Sequence, residues 1–185
     1  MRTRVTSGHG GGVACLAIAT LALAACGTPP PDPKLAKYEA ARQVVAAHIA
    51  ALDELDFDIF SHQKWDQLGR THAKDVLVHW PDGHLTKGVE KYVEGLKAMF
   101  VYAPNTRIEL HPVRIGQGEW TSVVGIMEGR FTQPIPTGNG QAIPPTRQPF
   151  KLTICRVGHW KDGAIDEEYL FWDNQTFMRQ LGLLK

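Results

Sequence analysis

Proton transfer in a protein needs a carboxylate or an imidazole held where its pKa suits the task, and two residues stand out by type and position. Glu168 lies in the β-rich run 164–172 on the parity of Leu170. If that face looks inward, desolvation raises its carboxyl pKa and prepares a general acid or base. On a solvated edge the same glutamate would only hydrate. His79 falls near the end of the β-rich run 75–80, where it could polarise a carbonyl or shuttle a proton near neutral pH. A strand-end imidazole bonded to the backbone is the plainer use of it. Asp173 precedes a helical stretch, which suits a helix N-cap as well as a pocket wall.

Metal and covalent chemistry find little support. His79, Asp82 and His84 bracket one turn, with His62 and His72 nearby in sequence, but no CxxC, no HExxH and no second ligand cluster accompanies them. No metal is expected. Cys155 falls mid-strand among apolar residues, the setting of an inert thiol. With neither a Gly-rich phosphate loop nor a G-x-S-x-G elbow, the expectation is a site without cofactor. Trp80, Phe100, Trp120, Phe131, Tyr169, Phe171 and Trp172 concentrate in segments that could line a pocket for a small apolar or aromatic molecule. The alternative is that these rings fill the core.

The elements that would position these groups follow from periodicity. Leu35, Tyr38, Ala41, Val45, Ile49 and Leu52 recur at steps of three and four, predicting an amphipathic helix. A shorter helical stretch runs through Leu55, Phe60, Trp65 and Leu68. The run 75–80 is β-rich and ends at Pro81-Asp82-Gly83. Thr86 can cap a third helix, whose Val89, Tyr92, Val93, Leu96, Met99 and Phe100 share a face. From Asn105 onward the pattern alternates, with a bulge or bend expected at Pro112. Strands are predicted over 120–132, 150–157 and 164–172, the last two joined by an Asp162-Gly163 hairpin, with a short closing helix over 174–181. The plan is α+β, with helices on one face of a curved antiparallel sheet that leaves a conical cavity.

The first 25 residues stand apart. Arg2 and Arg4 precede an apolar run from Val13 to Ala25, too short to span a bilayer, and Leu23-Ala24-Ala25-Cys26 closes it. This reads as a signal peptide, and its end resembles the bacterial lipoprotein signature, in which the thiol of Cys26 is acylated. The expected organisation is a signal over 1–25, a Pro-rich tether over 26–34 and one domain over 35–185. The expected location is the bacterial cell envelope, lipid-anchored through Cys26 and facing the periplasm or the exterior. With Cys15 in the signal and Cys26 acylated, Cys155 has no partner for an internal disulfide. A net charge of +1 argues against nucleic-acid binding.

Asp162-Gly163-Ala164-Ile165-Asp166-Glu167-Glu168, then Phe171-Trp172-Asp173 and Arg179-Gln180-Leu181-Gly182, resemble the C-terminus of SnoaL-like polyketide cyclases in the NTF2-like superfamily. Asp75-Val76-Leu77-Val78-His79-Trp80-Pro81, Gly88 and Ile143-Pro144-Pro145-Thr146 sit where that family carries similar segments. The resemblance covers about residues 40 to 184. It implies a cone-shaped NTF2-like fold with about three N-terminal helices packed on the concave face of the sheet. It also implies aldol ring closure without metal or cofactor, using an aspartate on the last strand and a histidine on the strand before it. Those positions correspond here to Leu170 and to the neighbourhood of Thr153, so the expected acid/base pair is missing while both positions would line the pocket.

Two functions follow. One is a lipid-anchored binding domain for a small apolar or aromatic molecule, with Trp80, Phe100, Trp120, Thr153, Leu170, Trp172 and Asp173 around the ligand. The other is a cofactor-free enzyme, of cyclase, isomerase or hydrolase type, using His79 and Glu168 on a carbonyl compound. Apolar residues on both parities of the later strands, Leu152 and Ile154 against Cys155 and Val157, further suggest that both sheet faces are covered and that the protein is a homodimer.

Overall fold

The computed structural model describes residues 32–138 and 140–185, so the signal expected over 1–25, Cys26 and most of the tether lie outside the described residues. Helix α1 (Pro33–Glu54) takes up the last two tether positions, because Asp32 accepts a hydrogen bond from the Lys34 amide and Pro33 occupies the first helical position. Its first turns are exposed, and its stripe becomes buried only at Leu52. The helix then widens into a π turn over Leu55–Phe60, which buries Leu55, Asp56, Ile59 and Phe60 together. Ser61 secures it, its hydroxyl donating to the Asp56 carbonyl at 2.6 Å while accepting from the Ile108 amide at 2.8 Å. A 3-10 turn over Trp65–Arg70 completes the second helical stretch.

Strand β1 (His72–His79) and the short β2 (Leu85–Lys87) precede helix α2 (Val89–Tyr102), and the long strands are β3 (Arg107–Gln117), β4 (Trp120–Arg130), β7 (Pro149–Lys161) and β8 (Ala164–Trp172). The connection between β4 and β7 carries a two-residue pair, β5 (Ile135–Pro136) with β6 (Ala142–Ile143). Helix α3 (Asn174–Gln180) closes the domain. The order across the main sheet is β2-β1-β8-β7-β4-β3. Register shifts between Ile108 and Val113 produce the bend expected at Pro112. Asp162 and Gly163, with φ of 52° and 81°, form the tight hairpin between β7 and β8.

Three details depart from the sequence reading. The sheet is not wholly antiparallel, since β1 runs parallel to β8 and joins the first strand to the last. Gly88, at φ 94°, stands at the α2 N-cap, and Thr86 instead lies in β2 with its hydroxyl accepting from the Trp80 indole. Strand β7 runs past the predicted end at 157 to Lys161, and Trp160 in that extension is 3% exposed, donating to the Thr121 hydroxyl and stacking on His48 in the core. Along β7 the inward series is Phe150, Leu152, Ile154, Arg156, Gly158 and Trp160, all buried. Arg156 is the charge within this apolar series, and it lies beside a cavity.

Candidate functional site

A cavity of about 290 Å³ opens between α2, the inner face of the sheet and α3. Trp80, Leu96, Met99 and Tyr102 form one wall, Met127, Ile154 and Leu170 the sheet floor, and Trp172, Phe177 and Met178 the opposite side. Both indoles are tied down. Trp80 Nε1 donates to Thr86 Oγ1 at 2.9 Å, and Trp172 Nε1 to Asn174 Oδ1 at 2.7 Å. Gly95 lets the Trp80 ring lie against α2, since a Cβ there would fall 2.5 Å from Trp80 Cζ2. Three methionines add adjustable, polarisable surface to an otherwise aromatic and aliphatic lining.

Beside this lining lies a buried ionic network. Arg156 Nη1 donates to Glu168 Oε1 at 2.7 Å and to the Tyr92 hydroxyl at 3.1 Å, while Nη2 donates to Asp56 Oδ1 at 2.7 Å. His111 sits 2.9 Å from Asp56 Oδ2 and 2.7 Å from Asp53 Oδ1, using both ring nitrogens. Arg114 Nε donates to both Asp53 oxygens at 3.0 and 3.1 Å. His72 Nε2 lies 3.5 Å from Glu168 Oε2, and its Nδ1 is 2.8 Å from the Thr71 hydroxyl. The network thus ties the π turn, β1, α2, β3, β7 and β8 to one another.

Burial by itself would raise the Glu168 pKa, but the Arg156 charge, then His72, outweighs it and holds the carboxyl down at about 2. The expectation of a raised pKa is corrected. Glu168 is inward and fully buried, yet it is a guanidinium's partner, ionised throughout the physiological range. Desolvation works against the charged form of Arg156 too, and Asp56 and Glu168 overcome that and stabilise it. Burial pushes the Tyr92 phenol well above its ordinary range, so it remains a neutral hydroxyl.

The other residues singled out from sequence are dispersed. His79 follows the opposite parity of β1 from buried Val78, which pairs with Glu168. It lies on the outer face, with Nε2 2.8 Å from Glu167 Oε1 and its ring stacked on Tyr169 at 4.0 Å. His79 and Glu168 are therefore on opposite faces of the sheet and do not converge, because one residue of shift along a strand reverses the face. Trp80, Leu170 and Trp172 do line the cavity. Phe100 does not line the cavity itself; it packs edge-on against Trp65 and against Phe60, which does. Trp120 is 44% exposed and tilted over His159 and Tyr169 on the outer face, and Thr153 is exposed there as well. Asp173 caps α3, accepting from the Thr176 amide at 3.0 Å. Of the histidines weighed as metal ligands, His84 pairs with Asp82 at 2.5 Å and His72 is buried beside Glu168.

Arg156, Asp56, Tyr92, His111 and Tyr102 were not singled out in the sequence. Arg156 carried a signal, since it shares parity with Phe150, Leu152 and Ile154. Asp56 carried none, because its inward aim depends on the π turn.

A curved sheet with helices on one side and an apolar cavity beneath them defines the NTF2-like class of domain. The chain belongs to the SnoaL-like polyketide cyclase family, whose model matches residues 49–181. IdmH, a candidate polyketide cyclase from Streptomyces antibioticus, superposes with a TM-score of 0.61 at 21% identity, over 75% of this chain and 98% of that one. A candidate SnoaL-like polyketide cyclase from Jannaschia sp. CCS1 gives 0.64 at 16% identity, over 77% and 94%. AclR, a candidate hydroxylase from Streptomyces galilaeus, gives 0.58 at 11% identity, over 79% and 87%. No curated protein sequence matches the chain. At these identities the likeness concerns the fold.

Proposed function

We propose that this chain is a ligand-binding member of its family, which holds an apolar or aromatic small molecule in the cavity and is anchored to the cell-envelope membrane through acylated Cys26. The observation that carries the binding reading is the state of the charged groups beside the cavity. Glu168 and Asp56 are both committed to Arg156, and neither carboxylate is among the lining residues. A lining of tethered aromatics and methionines favours hydrocarbon surface. The acid/base reading with His79 and Glu168 gains no support from an arrangement that places them on opposite faces with Glu168 near pKa 2.

The binding reading is tested by titrating the mature protein with N-phenyl-1-naphthylamine, a neutral apolar fluorophore, and repeating the titration with Ala98→Trp at the cavity wall. Saturable binding near one probe per domain, weakened at least fivefold by the substitution, is the expected result; the absence of saturable binding sinks the reading. The anchor is tested separately with Cys26→Ala, which should abolish acylation and detergent partitioning. A variant that still matures to the same size and partitions into detergent overturns it.

A further inference from the structure

Helix α1 outruns the sheet on which it rests. Gly116 in β3 lets the helix sit close, since a Cβ there would fall 2.5 Å from Val45 Cγ1 and 3.4 Å from Ile49 Cδ1. Toward the N-terminus the cover stops at that point, and every residue from Pro33 to Val44 is exposed. The apolar stripe nevertheless continues into this stretch, with Leu35 50% and Tyr38 62% exposed. Arg42, one turn further along the same row, holds its guanidinium over the Tyr38 ring at 5.9 Å. A groove of about 590 Å³ opens beside them, between α1 and the turn that follows β3. A helical stretch this short gains little from propensity alone and is stabilised by whatever covers its stripe.

We propose that the first turns of α1 lie on a lipid bilayer of anionic surface, with Leu35 and Tyr38 entering the interface and Lys34, Lys37 and Arg42 reaching its headgroups. This goes beyond ligand binding and rests on the anchor at Cys26. Pro33 follows Cys26 by seven residues, so the helix begins no more than about 25 Å from the acylated residue. An anchor that close raises the local concentration of membrane surface, and a contact of few side chains then suffices. A second copy of the chain would need far more, because Leu35 and Tyr38 supply only a small part of the roughly 800 Å² that each partner buries in a standard interface. Charge points the same way, since Glu39 is the one acidic residue against three basic ones over 33–44. Basic side chains beside an apolar stripe suit the headgroup boundary, where their stems bury and their charges stay wet. The helix lies on the surface, since among the described residues no helix is long and apolar enough to cross a membrane.

Residues 32–185 form one compact unit, so the chain lacking residues 1–25 and carrying Cys26→Ala folds without an anchor and reads α1 alone. Its partition is measured by co-sedimentation with vesicles of phosphatidylcholine, and of phosphatidylcholine with an equal part of phosphatidylglycerol, at low and high salt. Partition onto the anionic vesicles should be at least tenfold stronger than onto the neutral ones and should fall with salt. Leu35→Gln with Tyr38→Gln should weaken it at least tenfold, while Val44→Gln, on the opposite side of α1, should leave it within twofold. An unchanged melting temperature for both variants keeps a folding defect out of the comparison. The absence of partition, equal partition onto both vesicles, or a Leu35→Gln, Tyr38→Gln chain that binds like its parent overturns the proposal. So does a lower mass for that double variant by light scattering, which would give the stripe to a second copy. The anchor is read separately, by acylation of Cys26 in the full chain. An unacylated full chain whose domain still partitions loses the anchor alone, and an acylated one whose domain does not partition loses this inference alone.

Discussion

Arg156 occupies an inward position of β7 that the pattern of Phe150, Leu152 and Ile154 would give to an apolar side chain. Its charge is tolerated because two carboxylates and a phenol surround it. Removing one member of such a set costs more than the set contributes, since the remaining charges stay buried without a partner. Arg156→Met should lower the free energy of unfolding by about 3–5 kcal/mol in urea titrations, far more than the loss of a surface ion pair such as Lys91–Glu94. The pH dependence has a definite sign. Glu168 has a folded pKa of about 2 against an ordinary 4.5, so its contribution is present above pH 4.5 and is lost as pH falls toward 2. That segment of the acid unfolding curve, on the order of 3 kcal/mol, should disappear in Glu168→Gln, as acid titrations of both proteins would show.

Helix α2 carries the cavity wall, and its glycine sets how close Trp80 can come. Alanine at position 95 would gain up to about 1 kcal/mol of helix propensity, but its Cβ would fall 2.5 and 2.7 Å from ring atoms that the Trp80–Thr86 bond holds in place. Overpacking of about 1–3 kcal/mol outweighs the gain. Gly95→Ala should therefore lower the melting temperature and shift tryptophan emission as the Trp80 indole moves. Elements whose signal is local were legible in the sequence: the helical stripe of α2, the alternation of β7, the Asp162-Gly163 turn and the cap at Asp173. What was not legible depends on long-range pairing. The face of His79 follows from the register of β1 against β8, which no property of residues 75–80 specifies. The site was legible in part for the same reason. The apolar lining at Trp80 and Trp172 followed from composition and at Leu170 from the family resemblance, whereas the network that holds Glu168 ionised also required Asp56, 100 residues from Arg156 in the chain.

For the molecule as a whole, the outer sheet face carries apolar side chains on three strands, β3, β4 and β8. Ile115, Trp120 and Phe171 are 61%, 44% and 52% exposed, and Val113 and Tyr169 lie on the same side. A single domain gains nothing by presenting this surface to water, and a homodimer that pairs these faces would cover it. Light scattering on the Cys26→Ala chain lacking residues 1–25 should return a dimer mass, and Ile115→Glu with Phe171→Glu should return a monomer. A monomer mass for the parent chain at high micromolar concentration removes the idea.

The parallel contact of β1 with β8 also dictates an order of assembly. Asp56 meets its guanidinium 100 residues later in the chain, and the middle of the sheet cannot close until the last strand has arrived. A chain emerging N-terminus first therefore exposes α1, β1 and α2 without the partners that neutralise and cover them. It must stay extended or protected until residues 164–172 are released. Contacts of such separation slow folding, because the loop entropy is lost before the strands reward it. Truncation after Gly163 should accordingly leave no stable remnant, and circular dichroism of that fragment should lack the cooperative melt of the full chain. Folding that waits for the C-terminus keeps the chain without a stable core until its synthesis is nearly complete.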